Sequence, residues 1–166
     1  MRLLLVCLAL SACSNDSANG DDAPSPDASN QAPVTPKVGA WGYDEVTPVS
    51  STCPGNLQQG GTGAFAIDSS SSTSFHVVPN DGTAPFTCAL TGSAFDCPNR
   101  AAGLQDLRPA LDAVITLHAI AKGTFSTSTQ GSGRQEATAT CTGTQCSSTG
   151  ATFPCTAKVD FVIRAR

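Results

Sequence analysis

A chain of 166 residues with 9 basic and 13 acidic side chains carries a net charge of −4 and has room for one domain plus a tail. That balance speaks against a nucleic-acid partner, which needs clustered Lys and Arg, and against adhesion to anionic lipid by charge alone. Few aromatics (5 %), few charges (13 %) and 15 glycines fit a small β domain with many turns.

The chain begins MRLLLVCLALSAC: Arg2, an apolar run over 3–10, then small residues before Cys13. A charged start and an apolar stretch of about 8 residues form a secretory signal, too short for the roughly 20 residues of a bilayer span. Leu10-Ser11-Ala12-Cys13 resembles a bacterial lipobox. The resemblance implies cleavage after residue 12, acylation of the Cys13 thiol and a lipid bilayer as partner. Ser14, where Asp would favour inner-membrane retention, implies the outer membrane of the cell envelope if the host has one. Residues 13–38 then form the lipidated Cys and a tether. They hold four Asp, four Pro and almost no large apolar side chain, so disorder over roughly 25–30 Å is expected.

The β domain is expected over 39–166. Residues 112–125 alternate, with Ala113, Ile115, Leu117, Ala119, Ala121 and Phe125 on one face and His118 and Lys122 on the other. Period 2 over that length marks a half-buried strand. The C-terminus repeats it, with Cys155, Ala157, Val159, Phe161 and Ile163 inward. Further strands are read over 41–49, 64–68, 74–78, 86–91, 94–97 and 134–146. Between Asn99 and Leu111 the alternation lapses, and Leu104, Leu107 and Leu111 with Pro109 read as a capped loop. Eight antiparallel strands joined by short turns suggest an all-β up-and-down barrel, with a two-sheet sandwich as the alternative.

Beyond Cys13 six cysteines remain, at 53, 88, 97, 141, 146 and 155, an even number in an exported chain. In CALTGSAFDC, Gly92-Ser93 centres a two-residue hairpin, and counting outward sets Cys88 opposite Cys97. CSSTGATFPC shares the same spacing of Cys, Thr-Gly, Phe and Cys. The repeat pairs Cys146 with Cys155 and leaves Cys53 for Cys141. It also sets Thr138 and Thr140, not Ala137 and Ala139, on the Phe161 face, unless a bulge at Gly143 shifts the parity. The competing pairing joins Cys141 to Cys146 across CTGTQC and leaves Cys53 to Cys155. No metal site is expected from Cys141, Cys146 and Cys155, which lack C-x-x-C spacing and a nearby His.

If the first strand pairs with the last, Cys53, Cys141, Cys146 and Cys155 gather at one end and Trp41 meets Arg164 or Arg166 at the other. Gly39-Ala40-Trp41 followed by a terminal-strand Arg resembles the lipocalin and calycin pattern. That resemblance implies an Arg packed across the Trp ring, closing the barrel. Tyr43 shares the Trp41 face, and both rings are expected in the core or at a binding surface.

No nucleophile elbow, H-E-x-x-H or phosphate-binding loop before a helix occurs, and no cofactor motif is found. His76 and His118 read as solvated strand histidines. The expected function is therefore non-enzymatic: an envelope binding module for a small apolar ligand held among inward alanines. The alternative is a structural or inhibitory protein–protein module.

Overall fold

The computed structural model describes residues 33–54 and 63–166. The expected signal peptide, Cys13 and the first part of the expected tether lie outside the described residues. Eight antiparallel strands form one closed barrel in sequence order. They are β1 (Gly39–Ser51), β2 (Ala64–Ser70), β3 (Ser74–Pro79), β4 (Phe86–Thr91), β5 (Ala94–Asp106), β6 (Val114–Thr127), β7 (Gln130–Thr142) and β8 (Cys155–Ala165). Closure falls to β1. Its first residues pair with β2, as in Trp41 opposite Phe65, and its length pairs with β8, as in Trp41 opposite Ala165. Every strand has two paired neighbours, so no free edge is left between β1 and β8.

The alternating faces fall as the sequence implies. On β6, Ala113, Ile115, Ala119 and Phe125 are buried, and on β8 so are Cys155, Ala157, Val159, Phe161 and Ile163. At one end the rings of Trp41, Phe75, Phe95 and Phe125 meet edge to face or tilted, with Ile67 and Leu90 around them. Gly123 and Gly133 are cross-strand partners that make room for these rings. A Cβ on Gly123 would lie 2.6 Å from Phe95 Cζ and one on Gly133 2.9 Å from Phe161 Cζ.

Two expectations about length need correction. The tether is expected through residue 38, yet residues 33–38 cross one end of the barrel. Val34 N donates to Gly92 O at 3.2 Å and Lys37 N to Ser128 O at 2.7 Å. Pro36 is fully buried and Val34 packs on the core. These apolar contacts and backbone bonds offset the ordering entropy of a segment otherwise rich in Pro and polar residues. Residues from Val34 on thus pack on the barrel. The stretch expected as a loop from Asn99 is largely strand, since β5 continues to Asp106 with register shifts between Cys97 and Arg100 and between Ala101 and Gly103. Each bulge inserts one residue and breaks the period of 2, so the pattern vanishes while the pairing persists.

The disulfides also correct the reading. Cys88 pairs with Cys97 as expected, with Cα atoms 4.1 Å apart across the Gly92 turn, where φ is 62°. The other two bridges are Cys53–Cys155 and Cys141–Cys146, not Cys146–Cys155 and Cys53–Cys141. β7 decides it. Ala139 lies opposite Cys155 and Ala137 opposite Ala157, so the alanines face inward with no bulge in that half of the strand. Cys146 sits beyond the strand in a single 3-10 turn, Cys146–Thr149. Gly143 ends the strand instead of bulging it. Its φ of 120° lets the chain turn against the Asp112 carbonyl, and Asp112 accepts hydrogen bonds from Thr144 N (3.0 Å) and Thr144 Oγ1 (2.6 Å). All four of these cysteines gather at the end opposite Trp41. Cys53, Cys155, Ile115 and Ala139 form a second small core there.

Candidate functional site

Between the aromatic plug and the disulfide-bearing end lies a cavity of about 260 Å³. It exists because of side-chain size and strand length together. Ala119, Ala121 and Ala137 leave space on the β6–β7 wall. β3 and β4 are six residues long, against 13 for β5 and β7, so the wall is low on that side. The mouth opens there, bordered by Pro79, Asn80 and Asp81 on one side and by Pro98, Arg100 and Ala102 on the other. Phe65, Phe75, Phe86, Phe95 and Phe161 line the interior, with Tyr43 and Gln135 as polar groups among them.

Arg100 is the residue that the sequence reading missed. In unbroken alternation from Phe95 and Cys97, residue 99 would point inward and residue 100 outward. The bulge after Cys97 shifts the parity by one and pairs Arg100 with Ala119, a lumen-facing residue. Pro98 is the signal that could have found it, since Pro inside a strand run marks an edge or a bulge. The guanidinium lies 4.2 Å from the centroid of the Phe86 ring, a cation–π contact, and Nη1 donates to Thr83 Oγ1 at 3.5 Å.

Around Arg100 the charges are graded with depth. Burial holds the Arg100 pKa below its ordinary value, partly countered by Tyr43 and Asp81. Burial pushes the Tyr43 hydroxyl up, with Arg100 pulling the other way and Asp81 adding to the rise, so the phenol stays protonated. Asp81 stands at the exposed rim. Its slight burial raises its pKa, but hydrogen bonds from Thr83 Oγ1 (2.6 Å) and Thr83 N (3.0 Å), with the Arg100 charge, hold it below the usual range.

The residues singled out for closure separate into two groups. Trp41 is fully buried; its Nε1 donates to Lys37 O at 2.8 Å, and its ring stacks on Phe65 at 6.3 Å. Tyr43 lies in the lumen wall against Phe65 and Phe161, both at 5.6 Å. Arg164 and Arg166 do not cover the indole as the calycin pattern implies. Asp44, one residue on from the inward Tyr43, lies on the outer surface, where both arginines pair with it, Arg166 at 3.0 Å. Arg166 also donates to Tyr43 O at 3.3 Å and lies over Gly42, where a Cβ would come within 2.7 Å of its Nε. The strands close the barrel; the arginines brace the seam from outside. His76 is likewise on the outer face, with Nδ1 2.7 Å from Asp68 Oδ1.

The cavity can hold an apolar body and orient one polar end, through the Arg100 and Tyr43 donors. No family model, no curated protein and no solved structure matches this chain.

Proposed function

We propose that this protein is a lipid-anchored cell-envelope barrel that binds a small, largely apolar ligand without transforming it. The observation that carries the reading is the 260 Å³ cavity, lined by phenylalanine and alanine and open at one end of a cross-linked barrel. Binding sites are concave, mostly apolar and furnished with a few placed polar groups, as this one is. For comparison, an apolar cavity of about 150 Å³ suffices to take up benzene.

The leader sequence and Cys13 support export and acylation, and three disulfides suit an oxidising compartment. In this reading the partners are the lipid bilayer, through Cys13, and the ligand. Native mass spectrometry of protein purified from its own membranes tests the binding claim. A retained small molecule, released on unfolding, is the expected result. Protein that carries no ligand and binds none from an extract of the same envelope would refute it.

A further inference from the structure

The polar side of the cavity names a ligand class more narrowly, on the footing that the cavity is the binding site. Arg108, Arg134, Arg164 and Arg166 each pair with a carboxylate on the outer surface. Arg100 is turned into the mouth, and among the described residues no carboxylate lies within ion-pairing distance of it. Thr83 takes one of the five N–H donors of its guanidinium. Asp81 reaches it only through Thr83, and a half-buried cation with no carboxylate in direct contact is costly, a cost that a bound anion would lower.

Asp81 has the opposite sign but a different place. It is exposed at the rim, and Oδ1 already accepts two hydrogen bonds from Thr83. The deeper charge is therefore positive. Tyr43, protonated and near enough to feel Arg100, is a second donor. Below them Phe65, Phe86 and Phe161 line the cavity, and about 260 Å³ is room for one or two fused rings packed against them.

We propose that the cavity selects a compact aromatic carboxylate, its rings among Phe65, Phe86 and Phe161 and its carboxylate on Arg100 with help from Tyr43.

Three probes of one shape separate the possibilities: 2-naphthoate, 2-naphthamide and 2-naphthylmethylamine, an anion, a neutral amide and a cation at pH 7. Titration calorimetry on the folded chain should give naphthoate binding tighter than the other two by about tenfold or more, the size of one hydrogen bond to a charged group. Arg100→Gln should remove the preference, bringing naphthoate down to about the level of the amide. Arg100→Lys should restore part of the preference, and Asp81→Asn should preserve or strengthen it. Palmitate should bind more weakly than naphthoate.

Equal binding of naphthoate and the amide to the native protein would overturn the inference and leave the apolar cavity standing. So would an Arg100→Gln variant of native fold that keeps the preference. Tightest binding of the amine would overturn it in favour of Asp81 as the selecting group. Failure of all three probes would remove the binding reading itself. The native-protein series decides the matter even if Arg100→Gln does not fold.

Discussion

Trp41→Ala probes the packing that closes the barrel. The indole is fully buried, stacks on Phe65, meets Phe125 edge to face at 5.8 Å and holds the 33–38 segment through Lys37 O. Truncating a buried large aromatic costs about 3–5 kcal/mol, a large share of the roughly 5–15 kcal/mol that holds a domain folded. Trp41→Phe keeps a ring in the plug and loses the hydrogen bond, which is worth about 1 kcal/mol, so it should cost less than half as much. Urea denaturation followed by far-UV circular dichroism is the assay, because the chain has one Trp and the variants lose their fluorophore. The midpoint should fall sharply for Trp41→Ala with an unchanged slope, disulfides intact. The 33–38 segment should also become cleavable after Lys37. A loss below about 1 kcal/mol for Trp41→Ala, outside the range for such truncations, would refute the claim that this ring closes the barrel.

Peptide mapping under non-reducing conditions should recover Cys53–Cys155, Cys88–Cys97 and Cys141–Cys146. Removing Cys53–Cys155, which spans 102 residues, should cost about 4–5 kcal/mol by loop closure, against about 2 kcal/mol for Cys141–Cys146, which spans 5. The Asp106 carboxyl should titrate at about 2 by carbon NMR, held down by Arg108 hydrogen bonds at 2.6 and 2.9 Å. Its contribution is present above the ordinary carboxylate range and lost as pH falls through about 2, and Arg108→Gln should return it towards 3.8. Cys13→Ala should abolish incorporation of labelled palmitate, and labelling that survives the change would refute the anchor.

Long runs of regular pairing were legible in the sequence. β6 and β8 alternate without interruption where they face the core, and the Gly92 hairpin fixes its own disulfide by counting. Bulges erased the signal elsewhere. The register shifts at Arg100 and Gly103 hid the second half of β5. The bulges are needed where the barrel wall bends, so the site residue they turn inward is the one that periodicity cannot find. The second hairpin misled because a local spacing match was set against the parity of a whole strand. Ala137 and Ala139 on β7 already pointed to the correct pairing, since burying two alanines is cheaper than burying two threonines beside Phe161. The cavity itself left only an indirect trace, in the small residues of β6 and β7.

The central claim is that the barrel encloses usable apolar space, and a neutral probe tests it most directly. Binding of 1-fluoronaphthalene, followed by fluorine NMR, should saturate at one site on the native protein. Ala119→Phe and Ala137→Phe, each placing a ring in the lumen where Ala now stands, should abolish that binding while the circular dichroism of the barrel persists. Undiminished binding to both folded, filled variants, or no saturable binding to the native chain, would contradict the account.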